Sequence, residues 1–171
     1  IQLSIQEIKV ADDGEVDPGD FFPAARRSAD DMFAELLAFV EQVSTPPLKA
    51  LLEAFFRDEE IATLFKKAPA AKGFHHIYTG GLLEHTLSGT RLLQVVTEHY
   101  GGLNRDLVIT GGILHDIGKI YEFSYDRIVD YSDQGRLIGH IVIGVEMLDE
   151  KIRTLEGFPG QLAMELRHIL L

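Results

Sequence analysis

The sequence predicts an all-α fold, a helical bundle with one small β-hairpin and a residual N-terminal strand. Three observations carry that reading. Apolar residues recur at helical spacing through most of residues 29–171, as in Met32, Leu36, Phe39 and Val43. Capping residues such as Ser28 and Asn104 stand directly ahead of these runs, and Pro or Gly stands after them. Strand-like alternation or β-rich composition occurs in two short places only. With 171 residues, 46% of them apolar and 25% charged, the chain can bury one real core and is neither a disordered polymer nor a fibrous repeat.

Taken in order, Ile1-Gln2-Leu3-Ser4-Ile5-Gln6 alternates as a half-buried strand does. A lone strand needs a sheet, so its partners are expected upstream in a longer protein. The acidic residues 11–23, with Pro and Gly, read as a linker. Ser28 caps a helix over 29–43, with Asp30 and Asp31 placed favourably in its first turn. Thr45-Pro46-Pro47 breaks it, and 48–56 and 59–67 form two short amphipathic helices. A longer helix over 82–100 ends at Gly101-Gly102, and Asn104 caps another that runs to about His115. Tyr, Phe, Ile and Val between turn residues make 122–131 a small hairpin. Asp133 starts the next helix, over about 137–152, with Ile141, Val145 and Leu148 facing inward. Pro159 opens a last helical pattern, with Leu162, Leu166, Ile169 and Leu170 on one side. It reaches Leu171 with no stop signal, so both ends read as cut from a longer chain.

Absent residue types narrow the chemistry. Without Cys there are no disulfides, thiolate metal sites or Cys nucleophiles, which leaves His and carboxylates as metal ligands. The longest uncharged stretch, 73–83, contains two His and falls short of the roughly 18 apolar residues a membrane span requires. No signal peptide is visible, and the expected compartment is reducing, that is, cytoplasmic.

The charge bears on partners. Sixteen Lys and Arg against 27 Asp and Glu give −11, spread as −6 over residues 1–72 and −5 over 73–171. A protein that held nucleic acid mainly by counterion release would carry a basic element, and neither half is basic. A polyanion must therefore meet cations supplied otherwise, and a bound divalent metal is the obvious supply. A solvated acidic surface that keeps the protein soluble accounts for the same charge.

All seven His, at 75, 76, 85, 99, 115, 140 and 168, fall after residue 73. Such crowding raises the odds of a metal or proton-transfer site. His115-Asp116 is the sharpest pair, although this composition yields roughly one such dipeptide in every two chains. Its context is more telling: an apolar run over 107–114 delivers it, and Ile117-Gly118-Lys119 follows. A buried carboxylate must be paired or ligate metal, so Asp116 needs a cation. Lys119, three residues on, serves either as a structural salt bridge or as a phosphate contact. His85 lies near the start of a helix behind Gly80-Gly81, and with His115 and Asp116 it completes a two-His, one-carboxylate set. His140 interrupts an uncharged run, where a satisfied core histidine is the ordinary reading. His99, at a helix end beside Tyr100, reads as a capping cation, and His75 and His76 fall in a loop before the His85 helix. Competing motifs fail: Gly118-Lys119 lacks the phosphate-loop Gly at 113, and no Gly-x-Ser-x-Gly, His-Glu-x-x-His or Gly-x-Gly-x-x-Gly occurs.

The run His75-His76-Ile77-Tyr78-Thr79-Gly80-Gly81-Leu82-Leu83-Glu84-His85-Thr86, with Leu114-His115-Asp116-Ile117-Gly118-Lys119, resembles the HD-domain metal phosphohydrolases. The likeness is closest to the YhaM-type 3′-to-5′ exoribonucleases, which carry an OB fold ahead of an all-helical HD domain. It extends to Asp20-Phe21, Ala68-Pro69-Ala70-Ala71-Lys72 and Gly135-Arg136-Leu137-Ile138-Gly139-His140. The resemblance implies that residues 1–23 end an upstream OB-fold-like domain with its linker, and that 24–171 form an HD domain cut before its C-terminal helices. It implies His85, His115 and Asp116 as metal ligands, with His140 as a further ligand or phosphate contact. Asp116 and Lys119 would be the catalytic residues, and Lys119, His76 and His140 would face the substrate. The expected cofactor is a divalent ion (Mn, Mg, Fe, Co or Ni). The expected partner is single-stranded RNA or a nucleotide, with no membrane and with homo-oligomerisation open. A later Asp completes the family's site and lies beyond Leu171, so the ligand set within this chain is expected to be partial and the fragment itself weakly active or inactive. Hydrolysis of small nucleotides and a non-catalytic helical binding module are the alternatives.

Overall fold

A computed structural model describes residues 4, 6, 7, 9, 27–72, 78–124 and 129–171. The expected N-terminal strand falls largely outside the described residues, as do the linker and His75 and His76.

Helix α1 (Ala29–Glu41) begins where Ser28 accepts a hydrogen bond from the Asp31 amide, and it buries Met32, Leu36, Phe39 and Val40. Helix α2 (Pro46–Phe56) starts two residues earlier than expected. Pro46 and Pro47 occupy its first positions, where a missing N–H costs nothing, so the prolines begin this helix as well as end the last. Asp58 caps α3 (Glu59–Lys67) by accepting from the Glu60 and Ile61 amides, and Lys66 and Lys67 meet its negative end. The long α4 (Gly81–His99) leaves a left-handed Gly80, φ 81°, and α5 (Arg105–Leu114) is capped by Asn104.

After a tight turn come α6 (Lys119–Glu122) and an antiparallel pair, β1 (Phe123–Ser124) with β2 (Asp130–Tyr131), in the register Phe123 to Tyr131 and Ser124 to Asp130. This is the expected hairpin. Ser132 then caps α7 (Asp133–Leu137), which is followed by α8 (His140–Arg153) and α9 (Gly160–Leu170).

Two expectations change here. The helix expected over 137–152 is interrupted: Gly139, at φ 80°, separates α7 from α8, which begins on His140. Ile141 and Ile169, read from spacing as inward-facing, are 41% and 40% exposed, because each lies at the edge of its helix's apolar stripe.

The core is built around α4 and α5. α1 and α3 pack on α4, while α2 and α9 pack on α5. Leu36, Leu51, Leu52, Phe55, Phe65, Leu82, Leu83, Ile109, Ile113 and Leu166 are fully buried within it. Each such side chain contributes about 1.5–3 kcal/mol relative to exposure, enough to hold α4 and α5 in fixed register.

Candidate metal centre

Glycines of α5 leave room for side chains of the helices packed on it. A Cβ on Gly112 would lie 2.2 Å from Cδ1 of Leu93 on α4, and one on Gly111 would lie 2.6 Å from Cγ2 of Ile169 on α9. The side chains of Leu93 and Ile169 lie over these glycines, and the C-terminal end of α5 meets the second turn of α4. His115 and His85 come together there.

The local structure fixes their chemistry. His115 caps the end of α5, where the last carbonyls of a helix lack helical partners. Its Nδ1–H donates to the Gly112 carbonyl at 2.8 Å, and a carbonyl can only accept, so Nδ1 carries a proton and Nε2 is the nitrogen left to ligate when the ring is neutral. That Nε2 lies 3.2 Å from Nε2 of His85, and the Asp116 Oδ2 lies 3.3 Å from each of the two. The three ligand atoms all fall within 4.8 Å of one another. Two imidazole nitrogens and a carboxylate oxygen, one ring locked in its ligating tautomer, fit a divalent transition-metal ion.

Asp116 is buried, and its Oδ2 also accepts from Nζ of Lys119 at 2.8 Å. Burial alone would raise the carboxyl pKa, but hydrogen bonds from His115, His85 and Lys119 outweigh it and hold Asp116 well below the usual carboxylate range. Burial likewise pulls the His115 imidazole down, and the hydrogen bond and charge of Asp116 overcome it, so that ring is held above its ordinary value. Beside the rings of His85 and His115 opens a groove of about 420 Å³ bordered by Gly89, Leu92, Leu93 and Val108.

His140 approaches from the other side. Its Nε2 lies 3.5 Å from Oδ1 of Asp116, outside the tight triad, while its Nδ1–H donates to Oε1 of Glu122 at 2.8 Å. The same Oε1 accepts the backbone N–H of His140 at 3.1 Å. Glycine again allows the approach: a Cβ on Gly118 would lie 2.0 Å from the His140 carbonyl oxygen, and one on Gly135 would lie 2.1 Å from that of Glu122.

The structure thus brings together His85, His115, Asp116, Lys119 and His140. His99, at the end of α4, stacks edge-on against Tyr100, and His168 lies on the exposed side of α9; neither joins the cluster. Sequence reasoning missed Glu122, whose one signal was a carboxylate set between the aromatic Tyr121 and Phe123.

A helical bundle that carries one His early on a long helix and a His-Asp pair at the end of the next has the architecture of the HD domain. The HD-domain family model matches residues 82–169, and the chain belongs to that family. Over 172 aligned residues it is 31% identical to the 3′-5′ exoribonuclease YhaM of Geobacillus sp., covering 100% of this chain and 52% of that protein. It is 34% identical over 172 residues to the proteins of the same name in Listeria innocua and Listeria monocytogenes, covering 99% of this chain and 54% of each. The chain spans about half the length of these curated relatives. No solved structure matches it. Among the described residues no helix is long and apolar enough to cross a membrane.

Proposed function

We propose that the protein hydrolyses phosphodiester bonds with a divalent metal, as a 3′-to-5′ exonuclease on single-stranded RNA in the cytoplasm. The observation that carries this reading is the pair of opposed Nε2 atoms, 3.2 Å apart, with the Asp116 carboxylate against both. His85, His115 and Asp116 would hold the ion. Two nitrogens with one carboxylate favour Mn, Fe, Co or Ni over Mg, which prefers an all-oxygen shell. When bound, such an ion supplies a Lewis acid for a phosphoryl oxygen and lowers the pKa of water.

The remaining work falls to the chain's own side chains. Gly112, through its carbonyl, keeps the His115 proton on Nδ1 and away from the ligating nitrogen. Lys119, its side chain only 16% exposed, brings a positive charge to the edge of the site and is assigned to the non-bridging phosphate oxygens as their charge grows. His140 presents Nε2 on the opposite side of Asp116 and is assigned as a further ligand or phosphate contact. His76 keeps its proposed place as a substrate contact from the sequence alone. The RNA substrate and the polarity rest on the relatives named 3′-5′ exoribonuclease, and because this chain spans about half their length, the whole protein's activity is part of the proposal.

The test is a 5′-labelled single-stranded RNA incubated with Mn²⁺ and either wild type or Asp116→Ala. Wild type should shorten the RNA from its 3′ end, a chelator should stop it, and Asp116→Ala should remove turnover while helical circular dichroism is kept. Wild-type, metal-dependent turnover in the variant overturns the site assignment. Hydrolysis of mononucleotides with no action on RNA overturns the substrate.

A further inference from the structure

We propose that Glu122 is a positioning residue for His140: its buried carboxylate sets the tautomer of that ring and turns its Nε2 toward the site beside Asp116. The link from this geometry to turnover rests on the hydrolase reading; the geometry itself does not.

Glu122 ends α6 and is 6% exposed. A carboxylate removed from water needs a strong partner, and among the described residues the one ion pair it makes is with the His140 ring. One oxygen, Oε1, takes both the ring Nδ1–H at 2.8 Å and the backbone N–H at 3.1 Å. That backbone N–H is the first of α8 and lacks a helical acceptor, so the same atom anchors the start of the helix and the ring it carries. The two bonds tie the ring of His140 and its backbone to the same oxygen.

The backbones of both partners are held as well. Gly135 lies so close to the Glu122 carbonyl, and Gly118 to the His140 carbonyl, that neither could carry a side chain without displacement. The result repeats on the second wall what Gly112 does for His115 on the first: an acceptor on Nδ1 frees Nε2 for the site. An imidazole in water favours the other tautomer, so the arrangement must be imposed. Removing such an outer partner of a site histidine typically costs about 10–100-fold in metal affinity or activity.

The experiment makes Glu122→Gln and Glu122→Ala, each also in a His140→Ala background, on the full chain. Nitrogen-15 NMR of the metal-free protein in the alkaline limit reads the tautomer directly. Wild-type His140 should carry its proton on Nδ1, Glu122→Ala should move it to Nε2, and Glu122→Gln should give a mixture because an amide both accepts and donates. Mn²⁺ affinity by calorimetry, or kcat on RNA, should fall about 10–100-fold in the single variants with KM little changed. In the His140→Ala background the same substitutions should change either quantity by less than about 2-fold, since their effect is transmitted through that ring. A wild-type ring protonated on Nε2, a tautomer unaltered in both variants, or losses that multiply with His140→Ala overturn the proposal. If wild type proves to have no nuclease activity, the hydrolase reading fails and the NMR still decides the role of Glu122. Should Glu122→Ala not fold, the near-isosteric Glu122→Gln carries the test.

Discussion

Nε2 of His85 stands 3.2 Å from Nε2 of His115, whose ring donates through Nδ1 to the Gly112 carbonyl and so turns Nε2 toward the site. Two imidazole nitrogens at that separation share either a proton or an ion. We predict that His85→Ala and His115→Ala each weaken Mn²⁺ binding by more than the roughly 10–100-fold that loss of an outer hydrogen-bond partner costs. Helical circular dichroism should be unchanged, since both side chains are more than a third exposed. Calorimetric titration checks this, and wild-type affinity in either variant removes that residue from the ligand set.

Lys119 separates charge from metal holding. Lys119→Met keeps the apolar stem and removes the ammonium. Turnover on RNA should fall about 100–1,000-fold, the scale of losing one donor to transition-state charge. Mn²⁺ affinity should hold or tighten, because Oδ2 of Asp116 loses a competing cation. A parallel fall in affinity and turnover would make Lys119 a structural salt bridge instead.

Two neighbouring glycines should respond with opposite signs. A Cβ on Gly118 would meet the His140 carbonyl oxygen at 2.0 Å and the Gly144 amide nitrogen at 2.6 Å, whereas one on Gly144 finds its nearest atoms at 3.5 Å. Gly118→Ala should therefore destabilise by about 1–3 kcal/mol, as overpacking does, and should shift the His140 resonances. Gly144→Ala, inside α8, should be neutral or stabilise by up to about 1 kcal/mol. Urea unfolding of the two variants decides it.

Acid should attack the junction between α1, α2 and α5. Oδ2 of Asp106 accepts from the Ser44 and Thr45 amides at 2.9 and 2.7 Å and from both their hydroxyls at 2.8 Å. Burial pushes this carboxyl up, but the bonds from Thr45 and Ser44 prevail and its pKa is lowered. A lowered folded-state value means stabilisation that is complete above the unfolded value of about 3.9 and is lost as pH falls toward and through the folded one. Asp106→Asn should cost about 2 kcal/mol or more at neutral pH and should lose less further stability than wild type between pH of about 4.5 and 2.5. Equal acid sensitivity in the two proteins would show that Asp106 is not the titrating support.

Much of this was legible in the chain. Ser28 and Asn104 announce their helices through local chemistry, and the hairpin after Glu122 follows from its β-rich composition. The triad was legible because His115-Asp116 ends an apolar run and His85 follows a glycine pair. The break at Gly139 was not, since an uncharged, helically spaced run gives no sign that one residue takes a positive φ. Glu122 and Asp106 were missed for a related reason. Each is a carboxylate whose meaning comes from burial and from partners 18 and 61 to 62 residues away, which sequence spacing does not display.

The contact between His115 and Gly112 ties coordination to helix length. The carbonyl that orients the ring lies in the last turn of α5, which stops at Leu114. Were the coil to wind on by one more turn, an amide of its own ladder would share that oxygen and weaken its hold on the imidazole. Insertions or strongly helix-favouring changes just after Leu114 should therefore be poorly tolerated in catalytically competent descendants, even where they make the bundle sturdier.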